Sequence, residues 1–293
     1  MKITSVVEDV AVNLLRLAAI RLPADVKEAL EKAHQEERSR RGRIQLSAIL
    51  ENIKLAEEET RPICQDTGTI NFYLQAAPRF PRLDKIDDVL RGAVRRATKE
   101  VPLRPNAVDP FSQQNTGDNT GIHIPFVHWG FSSEDYLEIT AFPKGAGSEN
   151  VCDLAMMAPA DGLERMKRFV VESVIKAGAL PCPPTIVGVG MGGGADIAMK
   201  LAKMALLRPL NEPHRDSRIA KLERDLYEAV NSTQIGPMGL GGDFTTLGVK
   251  VDYAHRHPAS YPVAVAFQCW AARRSTARVY PDGKVKYLTH KQS

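Results

Sequence analysis

Residues 182–193 read CPPTIVGVGMGG, and this stretch decides the fold. Its apolar part, Thr185–Val189, predicts a short strand, and the apolar spacing of Asp196–Leu207 predicts a helix that ends before Pro209. A strand that leads into a helix is the building unit of folds in which helices pack on a sheet. We therefore expect a sheet with helices on it, preceded by a stiff loop in which Cys182 lies among prolines.

Residues 188–193 also satisfy the GxGxxG pattern of dinucleotide-binding folds, because they follow a strand and precede a helix. Such folds need a second apolar strand after the helix, with an acidic residue at its end that binds the ribose. Residues 208–218, RPLNEPHRDSR, offer neither. A nicotinamide-dependent oxidoreductase is therefore the less favoured alternative. We interpret the glycines as a tight strand-to-helix turn whose amides face an anion or a metal cluster.

Helices and strands alternate irregularly along the rest of the chain. Apolar residues at helical spacing predict helices in residues 1–60 and at 86–100, 162–177 and 219–230, with 38–43 as a solvated turn. Short apolar or alternating runs predict strands from Ile70 and at 136–142, 246–253 and 263–268, and a C-terminal hairpin that turns at Asp282-Gly283. We expect an α/β or α+β fold with residues 1–293 as a single domain. Its helical N-terminal region, residues 1–60, would pack on a mixed-sheet domain whose loops carry the functional site.

Composition and charge exclude several classes of function. The formal net charge is +4 over 293 residues, without a basic run of the kind that binds nucleic acid. The N-terminus lacks an apolar stretch long enough to span a membrane and the pattern of a secretory signal. We therefore expect a cytoplasmic protein with neither a nucleic-acid nor a membrane partner.

Four cysteines, Cys64, Cys152, Cys182 and Cys269, are too few for a disulfide framework and form no CxxC pair. An isolated cysteine is most often a small buried hydrophobe. Three of the four have neighbours that this role does not need. Cys64 precedes Gln-Asp-Thr-Gly, Cys182 lies among prolines, and Cys269 ends an apolar strand. Three thiolates could anchor an iron–sulfur cluster, or a zinc ion if His257 supplied a fourth ligand.

Six segments together carry a resemblance to a known family. They are PICQDTGT, LRPNA, NTGDNT, KGAGSEN, CPPTIVGVG and RHPASYPVAVAFQCWAARR, in this order along the chain. From about Leu46 to the C-terminus, the chain resembles the alpha-type domain of class I fumarases and L-tartrate dehydratases. The resemblance implies a [4Fe–4S] cluster held by Cys64, Cys182 and Cys269, with one iron open to substrate. It leaves Cys152 without a role.

The resemblance also implies roles for residues near these cysteines. Asp66 and His257 are the expected catalytic residues, and Arg104 is expected to bind a substrate carboxylate, for which the guanidinium is suited. The other expected substrate-binding residues are Gln65, Asn115, Thr116 and Gly147. A blander interpretation stands beside the first three: Asp66 would cap a turn, His257 would be structural, and Arg104 would be a surface residue.

The implied reaction is the reversible hydration of fumarate to L-malate. The segment KGAGSEN, residues 144–150, resembles fumarase alpha subunits, so we expect fumarate as the dicarboxylic acid substrate. Dehydration of L-tartrate is the alternative, and hydration of mesaconate is a third option. The resemblance also implies a separate beta subunit that carries the rest of the active site, and an alpha–alpha dimer within a heterotetramer. A non-enzymatic iron–sulfur redox sensor is the alternative from another class.

Overall fold

The computed structural model describes residues 2–101 and 103–290. The chain forms two compact units, each assembled from separate segments. Unit 1 comprises Met1–Ala24, Asn52–Ala146 and Arg273–Ser293, and unit 2 comprises Asp25–Glu51 and Gly147–Ala272. The expectation of a single domain over residues 1–293 stays a prediction.

Helices and strands are numbered in chain order. The helices are α1 (Ile3–Ile20), α2 (Ala24–Glu36), α3 (Arg40–Glu59), α4 (Ile86–Glu100), α5 (Ala146–Glu149), α6 (Gly162–Ala177), α7 (Ala195–Ala205) and α8 (Ser217–Asn231). The strands are β1 (Asn71–Ala76), β2 (Phe126–Phe131), β3 (Leu137–Ala141), β4 (Asp153–Met157), β5 (Thr185–Gly193), β6 (Thr246–Arg256), β7 (Tyr261–Gln268), β8 (Ser275–Val279) and β9 (Val285–Tyr287).

Unit 1 packs helices on one face of a sheet with the strand order β2-β1-β3-β8-β9. β1 is parallel to β2 and antiparallel to β3. Side chains alternate along β1, so Phe72 and Leu74 enter a core shared with α1 and α4. The opposite face carries polar pairs such as Thr140 and Thr276, whose hydroxyl oxygens lie 2.9 Å apart. Both threonines are buried, and the hydrogen bond between their hydroxyls satisfies these polar groups away from water.

Unit 2 has helices on both faces of the sheet β4-β7-β5-β6. β5 is parallel to β6 and antiparallel to β7. On one face, alternate valines of β5 and β7 pack in a core with residues of α6 and α8. On the other face, Gly188 pairs with Ala266 and Gly190 pairs with Ala264, and α7 covers these small residues. Because both faces are buried, β5 and β7 are nearly continuous runs of apolar and small residues.

The expected fold class, α/β or α+β, is confirmed by these two mixed sheets and their helices. The N-terminal region is helical as expected, but α1 belongs to unit 1 and α2 to unit 2. The solvated turn at 38–43 was wrong, because α3 begins at Arg40. Ser39 caps this helix by accepting the N–H of Gly42 at 3.3 Å. β2 and β4 were not predicted.

Gly188 and Gly190 lie inside β5, so the interpretation as a strand-to-helix turn was wrong for these two, whereas Gly192 and Gly193, with φ +83° and +64°, end β5 directly before α7. A Cβ on Gly188 would lie 2.1 Å from the carbonyl oxygen of Ala202, and one on Gly190 would lie 1.9 Å from that of Ala198. Both carbonyls belong to α7. The glycines therefore let the backbone of this helix lie directly on the strand.

Among the described residues, no helix combines the length and the apolar character that a membrane crossing requires.

Replacing Gly190 by alanine tests this close packing. Gly190→Ala should lower the free energy of unfolding by more than about 2 kcal/mol, because the new methyl group would overlap the backbone of α7. Gly92→Ala is the matched control, since a Cβ in that position of α4 meets nothing within 4 Å. It should raise the free energy of unfolding by about 0.5–1 kcal/mol. Urea titration followed by circular dichroism measures both changes, and equal stability of the two variants would contradict the packing role.

Candidate active site

The pairing of β5 with β7 brings Cys182 and Cys269 together in unit 2. Cys182 lies just before β5, and Cys269 directly follows Gln268, which pairs with Ile186 at the start of β5. The N–H of Trp270 donates to the carbonyl oxygen of Cys182 at 3.3 Å, so the two loops are joined through their backbones. Two of the three expected cluster ligands are therefore neighbours in space, although 86 positions separate them in the sequence (269 minus 182, less one).

Cys182 has an unusual backbone for a residue other than glycine, with φ +52°. This left-handed conformation is rare for residues with a side chain and is concentrated at functional sites. Pro183 helps to hold the loop, because its carbonyl oxygen accepts the N–H of Met238 at 2.7 Å. The loop therefore holds the Cys182 thiol in one place, as a metal ligand requires.

His257 lies at the other end of the same sheet. β6 ends at Arg256, which pairs with Gly193 at the end of β5, whereas the two cysteines lie at the beginning of β5. The seven residue-to-residue steps from Ile186 to Gly193 span about 23 Å at the usual rise per strand residue. Unit 2 therefore does not bring His257 to Cys182 and Cys269. Its expected catalytic role stays a prediction.

The imidazole of His257 has a clear local contact. Its Nδ1 accepts the N–H of Ala259 at 3.1 Å, which places the proton of the neutral ring on Nε2. The guanidinium of Arg256 donates to the carbonyl oxygens of His257 and Pro258 at 3.1 and 3.0 Å. The turn between β6 and β7 is thus held by its own residues, and the side chain of His257 is exposed on it.

Asp66 is the centre of a hydrogen-bond network in unit 1. Its Oδ1 accepts the N–H of Gly68 at 2.9 Å and is 3.5 Å from the side-chain amide of Asn106. Its Oδ2 accepts the N–H of Ala146 at 2.8 Å. Asp66 therefore does cap a turn, through its bond to Gly68, and it also bonds to a second segment through Ala146. The same bonds tie three separate segments together and fix the orientation of the carboxylate.

Arg273, which lies near the end of the segment RHPASYPVAVAFQCWAARR, was not predicted as a site residue. It is only 2% exposed, and its Nη1 donates to the carbonyl oxygen of Asp66. A Cβ on Gly145 would lie 3.0 Å from Nη2 of Arg273 and 3.1 Å from Oδ2 of Asp66. The guanidinium and the carboxylate thus share the space that this glycine leaves open. The signal in the sequence was an arginine only four residues after Cys269.

Arg104 has a fixed backbone and an exposed side chain. Its N–H donates to the hydroxyl of the buried Thr67 at 3.1 Å, and its carbonyl oxygen accepts from the side-chain amide of Asn119 at 3.2 Å. Asn119 also accepts the N–H of Asn106 at 2.7 Å. The chain therefore presents the guanidinium of Arg104 from a rigid base beside the Asp66 network, which suits a residue that grips a carboxylate.

Asn115 and Thr116 contact the backbone of their own loop. The amide of Asn115 donates to Pro105 O at 3.0 Å, and the hydroxyl of Thr116 donates to Ala107 O at 3.3 Å. Burial alone would raise the pKa of the nearby Asp118, but hydrogen bonds from Thr120 and the guanidinium of Arg95 lower it overall. These contacts give the loop a defined shape, and the expected substrate contacts stay predictions.

The other expected residues lie in both units. Gln65 is exposed beside the half-buried Cys64 in unit 1, and Gly147 is exposed in unit 2, where a Cβ would lie 3.1 Å from Leu180 O. Cys152 donates its S–H to the carbonyl oxygen of Ser148 at 3.6 Å, as a structural cysteine can.

Within unit 2, the two cysteines on adjoining loops are the type of donor that binds iron–sulfur clusters. Among residues 2–101 and 103–290, no three His, Cys, Asp or Glu side chains are grouped as ligands of one metal ion. An iron–sulfur cluster needs a different arrangement of ligands, because its several irons are bound by separate cysteine thiolates. In unit 2, Cys182 and Cys269 are half-buried residues on adjoining loops, and in unit 1 Cys64 is half-buried. None of the four cysteines, all of which the structure describes, forms a disulfide.

Comparison with known proteins finds a family and several relatives. The family described as fumarate hydratase (Fumerase) matches residues 8–278. A protein of Methanocaldococcus jannaschii with the provisional name L(+)-tartrate dehydratase subunit alpha is 49% identical over 283 residues, 95% of this chain and 99% of that one. The L(+)-tartrate dehydratase subunits alpha of Escherichia coli K12 and of Shigella sonnei are each 36% identical over 286 residues, 97% of this chain and 94% of theirs.

Replacing Arg273 by lysine tests the buried contact with Asp66. Arg273→Lys should lower the free energy of unfolding by about 1–3 kcal/mol, because an ammonium group cannot reproduce the planar guanidinium and leaves a buried acceptor without its donor. Arg95→Lys, on an exposed pair with Asp118, should change it by less than about 0.5 kcal/mol. Urea denaturation measures both, and a tolerated Arg273→Lys would show that the contact adds little.

Proposed function

Because the chain belongs to the fumarate hydratase (Fumerase) family, we propose that it is the alpha subunit of an iron–sulfur hydro-lyase that acts on a small dicarboxylic acid. The observation that carries this proposal is the family match over residues 8–278, which includes all three expected cluster cysteines. The neighbouring positions of Cys182 and Cys269 support it, because a shared cofactor needs its ligands in adjacent loops.

In this proposal Cys64, Cys182 and Cys269 hold a [4Fe–4S] cluster. When bound, such a cluster has one iron without a protein ligand, which supplies a Lewis acid for the substrate hydroxyl and carboxylate. The half-buried state of the three thiols favours this role, since each is accessible to a cofactor and shielded from bulk water.

The protein side chains would bind and orient the substrate. Arg104 would pair with a carboxylate, and Gln65 would hydrogen-bond beside it. Asp66 would act on the proton of the reacting carbon, from an orientation that the amides of Gly68 and Ala146 hold. Asn115, Thr116 and Gly147 are the further proposed substrate contacts, and His257 remains a proposed catalytic residue.

L(+)-tartrate is the substrate that the relatives favour. The relatives at 49% and 36% identity are named as L(+)-tartrate dehydratase alpha subunits, the first of them provisionally, whereas KGAGSEN alone pointed to fumarate. The findings thus support the alternative better than the first expectation. Fumarate hydration is the second candidate, because the family description names it. Tartrate differs from malate by one hydroxyl, and a few contacts suffice for such a distinction.

A separate beta subunit is part of the proposal. Each of these relatives is named as a subunit alpha, which supports a partner chain of another type. We further propose an alpha–alpha dimer within a heterotetramer, and a cytoplasmic location in which thiols stay reduced.

Substrate preference tests the reaction. The chain, co-expressed with its beta subunit and purified without oxygen, should dehydrate L(+)-tartrate to oxaloacetate with a kcat/KM at least about tenfold above those for L-malate dehydration and mesaconate hydration. A coupled assay with malate dehydrogenase follows oxaloacetate, and ultraviolet absorbance follows the unsaturated acids. A preference for malate and fumarate would establish the second candidate. Turnover of none of the three acids by a preparation with a full cluster would refute the hydro-lyase.

Iron and sulfide contents test the ligands. Cys64→Ser, Cys182→Ser and Cys269→Ser should each lose more than half of the iron and sulfide found in the wild type, because a serine oxygen is a poorer ligand for iron–sulfur clusters. Cys152→Ser is the matched control and should keep the full content, since its contact is with Ser148 O. Anaerobic chemical analysis gives the contents, and a loss in Cys152→Ser equal to that in Cys182→Ser would refute the assignment.

A further inference from the structure

Glu37 of unit 2 is a buried carboxylate that the proposed reaction does not use. It is only 2% exposed and lies between the end of α2 at Glu36 and the start of α3 at Arg40. Burial of a charged side chain is costly unless hydrogen bonds replace the water that it loses. The donors that replace this water therefore show which segments Glu37 holds.

Backbone N–H groups of two segments surround the Glu37 carboxylate. Ser39 donates to Oε1 at 2.8 Å, and Asp243 and Phe244 donate to Oε2 at 2.9 and 3.2 Å. Hydrogen bonds to a charged acceptor are about twice as strong as those between neutral groups. Glu37 thus fixes the end of the loop of residues 236–244 to the corner between α2 and α3.

Two glycines leave the space that this carboxylate fills. A Cβ on Gly42 would lie 2.7 Å from Cδ of Glu37, and one on Gly242 would lie 2.8 Å from its Oε2. On the outside of the junction, Nε and Nη2 of Arg38 donate to the carboxylate of Asp243 at 2.8 and 2.7 Å. The corner and the loop are therefore closely packed around Glu37.

The other part of the 236–244 loop contacts the segment of Cys182. The N–H of Met238 donates to the carbonyl oxygen of Pro183 at 2.7 Å. A Cβ on Gly239 would lie 2.4 Å from Cβ of Ala179, whose carbonyl oxygen accepts the N–H of Cys182 at 3.0 Å. The loop thus contacts residues that precede and follow the cysteine.

Each of the two segments has a left-handed residue where they meet. Cys182 has φ +52° and Met238 has φ +55°. Residues with a side chain keep this conformation only where the surrounding structure fixes it. The 236–244 loop is fixed at Glu37 and bonds to Pro183, so the backbone of Cys182 is held from outside its own segment.

We propose that Glu37 is a positioning residue for Cys182 and that it acts through the 236–244 loop. The carboxylate fixes one end of this loop, and Met238 fixes Pro183, so the loop of Cys182 stays joined to that of Cys269 before any cofactor binds. The inference rests on the proposed function only for the identity of Cys182 as a cluster ligand. The holding of the loop is a property of the polypeptide itself.

Amide hydrogen exchange of the full chain tests whether Glu37 holds the loop. Glu37→Gln turns an N–H donor towards backbone groups that need an acceptor, so the loop should open more often. The amides of Met238 and Trp270, which bond to Pro183 and Cys182, should then exchange at least about tenfold faster than in the wild type. Nuclear magnetic resonance measures both rates, and unchanged exchange at these two amides would overturn the proposal.

Glu223→Gln is the matched control, because Glu223 is a buried carboxylate of the same unit. It is 7% exposed, accepts the N–H of Val251 at 2.8 Å and pairs with Arg208. This variant should speed the exchange of the Val251 amide and leave those of Met238 and Trp270 unchanged. Equal acceleration of Met238 and Trp270 in both variants would show a general loosening of unit 2 and would contradict a specific role of Glu37.

Gly242→Ala reaches the same contact from the loop and removes no charge. The new methyl group would displace the Glu37 carboxylate, so the amides of Met238 and Trp270 should exchange at least about fivefold faster. Together with Glu37→Gln it should add little, because both changes break one contact. Accelerations that multiply in the double variant would refute the proposal. If Glu37→Gln does not fold, unchanged exchange in Gly242→Ala refutes it instead.

Iron loss separates this inference from the proposed function. The loaded Glu37→Gln protein, co-expressed with the beta subunit and purified without oxygen, should lose iron to a chelator at least about tenfold faster than the wild type, as changes behind a metal ligand do. Faster amide exchange without faster iron loss would overturn the positioning role. A wild type that binds no iron would refute the proposed function, whereas the exchange rates would still decide whether Glu37 holds the loop.

Discussion

The antiparallel pairing of β5 with β7 is the constraint on which unit 2 depends. Gly188 and Gly190 of β5 lie beside Ala266 and Ala264 of β7, and these small residues let the backbone of α7 lie on the sheet. The same pairing ends where the loops of Cys182 and Cys269 meet. Packing in the middle of the sheet and the position of two thiols at its end are therefore set by one register.

Asp66 has in unit 1 the role that the β5–β7 pairing has in unit 2, because its hydrogen bonds hold separate segments together. Its carboxylate accepts amides from Gly68 and Ala146, and its carbonyl oxygen accepts from the buried Arg273. The turn-capping and the functional interpretations of Asp66 are thus not alternatives. The bonds that cap the turn also orient the carboxylate that we propose as catalytic, and orientation of this kind is a large part of what an enzyme contributes.

The segment KGAGSEN shows why substrate is harder to infer than family. Lys144 pairs with Thr69 through the backbone, Gly145 makes room for Arg273, and Ala146 donates to Asp66. Lys144, Gly145 and Ala146 are thus constrained by packing around Asp66. A few pocket contacts decide between substrates that differ by one hydroxyl, so the packing constraints on this segment carry little information about the choice between fumarate and tartrate.

The sequence by itself determined the family, the three candidate thiols and most helices and strands, because apolar periodicity and short motifs are local properties. The glycine pattern drew attention to Gly188 and Gly190, but the sequence did not show their structural role, because α7 lies against them only in the folded chain. Tertiary structure decided that Cys182 adjoins Cys269, that His257 lies at the opposite end of the sheet, and that Arg273 contacts Asp66. Strand register and burial bring together residues that are far apart in the sequence, and no local sequence pattern specifies which residues meet.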